Sequence, residues 1–206
     1  MAIQDRNIHS NGLSSTALRA RQQYVIMKPS ASASAIVNAQ SISGGTVAAA
    51  TIARSRCDYP RNVLCTLVDN SGTTLEATFV VTGKDQFGNT VSESIFVDYN
   101  VAATTAGTQI FSEITSVSIT PANQAASDTA SVGYAIAADV ASFGLPAKIA
   151  AVTDVKAINW IDAGTSKQED VDSTAVVVSR HCIRPSQTVD AADDYIVTYK
   201  STYKYN

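Results

Sequence analysis

Leu75-Glu76-Ala77-Thr78-Phe79-Val80-Val81-Thr82, followed by Gly83-Lys84-Asp85-Gln86-Phe87-Gly88-Asn89 and then Thr90-Val91-Ser92-Glu93-Ser94-Ile95-Phe96-Val97, is the stretch that decides the fold. Successive side chains of a strand point to opposite faces. Leu75, Ala77, Phe79 and Val81 therefore share one face and Glu76, Thr78 and Thr82 the other, the signature of a half-buried strand. Phe87-Gly88-Asn89 can supply the positive backbone angles of a tight reversal, so Leu75–Thr82 and Thr90–Val97 are expected to pair as an antiparallel hairpin.

The same grammar extends outward across Tyr59 to Lys148. Pro60-Arg61-Asn62-Val63 opens a strand, and Gly107-Thr108-Gln109-Ile110-Phe111 leads into another over Ile114 to Ile119. In the latter, strict alternation puts Phe111, Val117 and Ile119 on one face with the polar Glu113 and Thr115. Val132, Tyr134 and Ile136 repeat the pattern, and Gly144-Leu145-Pro146 ends the segment. Upstream, Tyr24 to Lys28 reads as a short strand stopped by Pro29, and Ser30 to Gly45 alternates only weakly. Downstream, Val155 to Ile161, Thr174 to Cys182 and Tyr195 to Tyr205 read as strands between polar loops at 162–173 and 184–194. Many short strands at about ten-residue spacing, with no helix-length crossover, predict an all-β fold: an antiparallel β-sandwich or jelly roll. The polar residues 1–23 read as an extended N-terminal arm and residues 24–206 as the β-sandwich domain, in which 151–206 either completes the same sandwich or forms a separate C-terminal lobe.

Composition narrows the function classes. Apolar residues make up 45% of the 206 and charged residues only 16%, so large neutral surfaces rich in Ser, Thr, Asn, Gln and Ala are expected, as on proteins that pack against neighbours. A net charge of −3 argues against a nucleic-acid partner, since phosphate binding relies on clustered Lys and Arg. Arg6, Arg19, Arg21 and Lys28 form the only local basic cluster, a solvated arm or an electrostatic docking element. No run approaches the ~20 apolar residues that span a bilayer, and the polar start carries no signal-peptide stretch, so no membrane partner and synthesis in a cytoplasm are expected.

Residues suited to catalysis are scarce. Besides His9 in the arm, His181 is the only side chain that titrates near neutrality when unperturbed. Cys182 beside it in sequence would point to the opposite face of a strand, so a Cys/His nucleophile pair is not expected. Cys57, Cys65 and Cys182 are too few for a disulfide framework, and their spacing does not match paired zinc knuckles. The acidic groups Glu169, Asp170 and Asp172, and Asp190, Asp193 and Asp194, lack the order of a calcium loop. Neither a phosphate-binding loop nor a serine-hydrolase elbow nor a zinc-protease helix motif occurs. The chain reads as a building block without catalytic residues, cofactor or metal. The row Tyr195, Tyr199, Tyr203 and Tyr205 lies on one strand face and fits either a core edge or a subunit interface.

Pro60-Arg61-Asn62-Val63, the hairpin Thr82-Gly83-Lys84-Asp85 with Gly88-Asn89, Val91-Ser92-Glu93, Gly107-Thr108, Phe111, Ile114-Thr115-Ser116-Val117 and Gly144-Leu145-Pro146 follow one order over about 90 residues. In that order the chain resembles virion structural proteins of tailed bacteriophages, of the kind that decorate (cement) the outside of the head. The resemblance implies a location on the capsid exterior, the major capsid protein as partner, and self-association, most simply as a trimer at local three-fold positions. Arg6, Arg19, Arg21, Tyr199, Tyr203 and Tyr205 are then the candidate partner-binding residues. The alternatives are a tail, neck or fibre-base component, or a carbohydrate-binding module using Trp160 and the C-terminal tyrosines.

Overall fold

The computed structural model describes residues 21–70, 72, 74–162 and 165–200. Among them the chain is all-β and antiparallel, with fifteen strands: β1 Arg21–Met27, β2 Val37–Ser41, β3 Arg56–Arg61, β4 Val63–Val68, β5 Glu76–Lys84, β6 Thr90–Asp98, β7 Thr104–Ala106, β8 Phe111–Ala122, β9 Thr129–Tyr134, β10 Phe143–Gly144, β11 Val155–Asp162, β12 Thr165–Glu169, β13 Val176–Val177, β14 Cys182–Ile183 and β15 Asp194–Lys200. They form three sheets, in the orders β13-β14-β10-β3-β8-β5-β6, β2-β9-β4-β7 and β1-β15-β11-β12.

The deciding stretch folds as its pattern requires. β5 and β6 pair in continuous register from Glu76↔Asp98 to Lys84↔Thr90, and Leu75, Ala77, Phe79 and Val81 are buried. The reversal is built by Asp85, whose carboxylate accepts from the backbone N–H groups of Phe87 and Asn89, with Gly88 at φ +84°. Partial burial would raise the Asp85 carboxyl, but the hydrogen bonds from Asn89, Phe87 and Gly88 outweigh it and hold the group below the ordinary carboxylate range.

Two hydrophobic cores result. In the first, the seven-stranded sheet contributes Phe79, Val81, Ile95, Phe111, Val117 and Ile119, and the sheet β2-β9-β4-β7 packs Val63, Cys65, Leu67, Val132 and Tyr134 against them, a β-sandwich. The second gathers Ile26 of β1, Val155 and Ile158 of β11 and Tyr195, Val197 and Tyr199 of β15 around Phe143, Leu145, Val176 and Ile183. This second core starts at Ala141 and recruits β1, so the boundary expected at residue 151 does not mark where its packing begins. The seven-stranded sheet runs through both cores, because β10 pairs with β3 at Phe143↔Arg61.

Arg61 stands at that junction and is fully buried. Its guanidinium lies 4.6 Å from the Tyr134 ring centre in the first core and 4.8 Å from that of Phe143 in the second. It donates to the Ser30 and Ala135 carbonyls at 2.8 and 2.9 Å and pairs with Asp58 at 3.4 Å. Asn62, the next residue, ties Gly107 and Val140 through its amide nitrogen and accepts from the Ser142 N–H. Pro60-Arg61-Asn62-Val63 therefore does not open one strand. It is the crossing where β3 of one sheet ends and β4 of the other begins.

Other sequence expectations are corrected by local breaks of the two-residue period. In β8 the register steps from Thr82↔Ser116 to Gly83↔Ile114, leaving Thr115 as the extra residue of a bulge. Phe111, Ile114, Val117 and Ile119 are thereby all buried, while Thr115 is exposed and Glu113 pairs with Lys84 at 3.5 Å. The bulge depends on Gly83, where a Cβ would lie 2.0 Å from the Glu113 carbonyl oxygen. Residues 165–169, expected in a loop, form β12 against β11. Thr174 to Cys182 is not one strand: a 3-10 turn at Val178–Arg180, ended by His181 in the left-handed region at φ 51°, separates β13 from β14. Ser30 to Gly45 contains β2, and Arg21, Gln22 and Gln23, assigned to the arm, pair in β1 with Lys200, Tyr199 and Thr198.

Candidate interaction surface

The outward side of β8, β5 and β6 forms a plate whose register can be written row by row. Thr120 lies beside Thr78 and Phe96, Ser118 beside Val80 and Ser94, and Ser116 beside Thr82 and Ser92. None of these nine side chains is charged. Phe96 is 55% exposed and Val80 38%, and the Thr82 and Ser92 hydroxyls hydrogen-bond to each other at 2.9 Å. Charges are confined to the two ends, at Glu76 and Asp98 and at the Lys84–Glu113 pair. β6 is an edge strand of this sheet. Glu93, on its inner side, accepts from the backbone N–H groups of Thr108 and Gln109, which docks the 107–109 turn against β6.

The alternation that buries Ala77, Phe79 and Val81 is what places Thr78, Val80 and Thr82 outside, so the plate follows from the sequence period. Its content is where the low charge of the chain is spent. Water leaves hydroxyl and methyl groups at lower cost than it leaves paired charges, and interface centres are depleted in charge for that reason.

The residues expected to bind a partner fare differently. Tyr199 is fully buried, with its hydroxyl donating to Gln22 at 2.9 Å. Tyr195 is equally buried, bonded to Asp193 and Gln187. Both tyrosines belong to the second core, and the core-edge reading of the row holds for them. Tyr199 is corrected as a partner-binding residue, because it offers no surface. Arg21 is placed in β1; Arg6, Arg19, Tyr203 and Tyr205 lie outside the described residues.

Chemistry-bearing residues sit in settings that quench reactivity. Cys182 is fully buried and burial pushes its thiol up to about 11; Cys57 is pushed up to about 12, again by burial first. Both run opposite to an activated thiolate. His181 is not a strand residue: its Nδ1 accepts from the Ile149 N–H, its ring meets Phe87 edge-on, and burial lowers its pKa. Among the described residues no group of three or more His, Cys, Asp or Glu could hold a metal ion. Among the described residues no helix is long and apolar enough to cross a membrane.

Two of the surface clefts among the described residues carry titratable side chains. The smaller, about 210 Å3, lies between the β5–β6 turn and Arg180 and His181. The larger, about 470 Å3, is lined by Trp160 and Lys167 of the β11–β12 hairpin together with Glu169, Asp170 and Asp172. Sequence reasoning had treated Trp160 and this acidic run separately; only the pairing Trp160↔Lys167 brings them to one place.

No family model, no curated protein and no solved structure matches this chain.

Proposed function

We propose that this chain is a structural protein of a tailed-bacteriophage virion, a decoration protein that binds the outer lattice of the head and stabilises it as a homo-oligomer. The observation that carries this reading is the uncharged plate of β8, β5 and β6, nine exposed or half-exposed positions filled by Ser and Thr around Val80 and Phe96. A preformed shell is stabilised by many identical small contacts, and a rigid sheet face can make such contacts without an ordering cost. The partner in this reading is the major capsid protein, and a trimer is the simplest closed assembly for a local three-fold site. Arg6 and Arg19, in the segment before β1, supply a second, electrostatic contact. The quenched thiols and the buried tyrosines support an architectural role over a catalytic one.

A glycan-binding reading rests on Trp160, whose indole is half-buried and carries the Lys167 ammonium 4.5 Å from the ring centre, so a sugar ring would compete with an internal partner for that face. The test of the decoration reading is cosedimentation with undecorated heads. Val80→Lys with Ser94→Lys places two cations on the plate and is expected to abolish binding, whereas Thr165→Lys, exposed on the other lobe, is expected to bind as the unaltered chain does. Equal binding by the plate variant would overturn this reading.

A further inference from the structure

The 470 Å3 cleft beside the β11–β12 hairpin lies apart from the plate and borders the second core, which contributes Ala175 and against which Trp160 packs. Its wall joins an aromatic face, Trp160, to four carboxylate residues: Asp139, Asp170 and Asp172, all exposed, and the buried Glu169. Glu169 is 7% exposed, and its two oxygens are treated unequally. Oε1 accepts from the Ser186 N–H, while Oε2 is buried without a hydrogen-bond partner. A buried carboxylate oxygen with no donor is unfavourable unless a cation or a donor completes it. Lys167 is the only cation among the described residues that line the cleft, and its ammonium lies 4.5 Å from the Trp160 ring centre.

We propose that this cleft binds an organic ammonium group, a primary amine on an aliphatic chain, over the face of Trp160 and among the carboxylates of Glu169 and Asp170. Three features converge on that chemistry. The acidic excess attracts a cation rather than an anion or a neutral polyol. The indole face favours an ammonium through its quadrupole, and Lys167 already occupies that position as an internal stand-in. Glu169 lines the same wall with a buried Oε2 that lacks a donor, and rotation of the carboxylate toward the cleft would present that acceptor to the ligand. Lys167 then acts as a displaceable plug, held on the solvent-exposed side of the hairpin by a contact that an incoming ammonium of the same chemistry can replace.

Trp160 is the only tryptophan of the chain, so fluorescence excited selectively at tryptophan, beyond the absorption of the eight tyrosines, reads this cleft alone. The full chain is titrated with 1,5-diaminopentane and with Nα-acetyl-lysine amide, against 1-pentanol and maltose as neutral controls. A saturable change with an ammonium ligand that weakens with added salt, and no saturable change with either control, is the expected result. Tighter binding of the diamine points to a free polyamine as the natural source; tighter binding of the lysine derivative points to a basic side chain of a polypeptide. Lys167→Met, which removes the internal cation and keeps its stem, is expected to tighten binding about two- to fivefold. Asp170→Asn on the exposed rim and Glu169→Gln, which keeps an acceptor for Ser186, are expected to weaken it with the melting temperature unchanged for Asp170→Asn. No saturable change with either amine, an equal change with pentanol or maltose, or weaker binding by Lys167→Met would overturn the proposal.

Discussion

Replacing Arg61 by Met should remove the polar tie between the two cores while keeping most of the apolar stem. The guanidinium donates to two carbonyls, those of Ser30 at 2.8 Å and Ala135 at 2.9 Å, and each loses a charged donor worth about 1–3 kcal/mol. It also leaves the faces of Tyr134 and Phe143, and leaves Asp58 behind. Asp58 keeps hydrogen bonds from the Ser30 and Tyr59 N–H groups at 2.6 and 2.9 Å, and its side chain is 14% exposed, so the abandoned carboxylate is not stranded. Removing one member of a buried pair costs about 3–5 kcal/mol, and the retained Asp58 partners favour the lower end. For a domain of this size that corresponds to a fall in melting temperature of roughly 6–20 °C. Urea unfolding followed by far- and near-ultraviolet circular dichroism measures it. Arg61→Lys should recover little, because an ammonium cannot reach both carbonyls as a planar fork does. A loss below about 1 kcal/mol at unchanged denaturant slope would refute the assignment of Arg61 as the junction between the cores.

Gly83→Ala should destabilise by about 1–3 kcal/mol, because the new methyl meets the Glu113 carbonyl oxygen and must push the bulge of β8 open; the same urea assay reads it. His181 contributes a pH dependence of fixed sign. Burial lowers its folded-state pKa below that of the unfolded chain, so the contribution is present above the ordinary histidine value of ~6.5 and is lost as pH falls through that value toward the folded one. His181→Asn, which tolerates the left-handed backbone, should flatten the stability profile below about pH 6.5. The plate variant Val80→Lys with Ser94→Lys should lose only about 1 kcal/mol, the cost of like charges on a directly opposed cross-strand pair, and so separate lost assembly from lost folding.

The hairpin of β5 and β6 was legible because its turn residues and its alternation agree: Asp85 and Gly88 build the reversal that the flanking period demands. The low charge likewise pointed to neutral surface, and the alternation located it. What strict periodicity could not show were its interruptions. The bulge at Thr115 swaps Ile114 inward for Glu113, and nothing in the local sequence states that an extra residue is present; only the close approach permitted by Gly83 explains it. β12 was missed because Thr165-Ser166-Lys167-Gln168-Glu169 is polar on both faces and mostly exposed, held by pairing to β11 rather than by burial. Tyr199 was ambiguous because alternation gives a side chain's face but not what covers that face. The core that buries it draws residues such as Phe143 and Ile183 from distant parts of the chain. The acidic run at Glu169 and the lone Trp160 were each visible, and their meeting in one cleft was not, since it depends on the register of a hairpin whose second strand carried no signal.

Cryo-electron microscopy of heads incubated with the purified chain tests the central claim most directly. The account predicts density on the outer head lattice, repeated at symmetry-related positions, with the face of β8, β5 and β6 carrying Val80 and Phe96 turned toward the shell. Density confined to the tail or neck, density on the head with that face turned to solvent, or bare heads would contradict it.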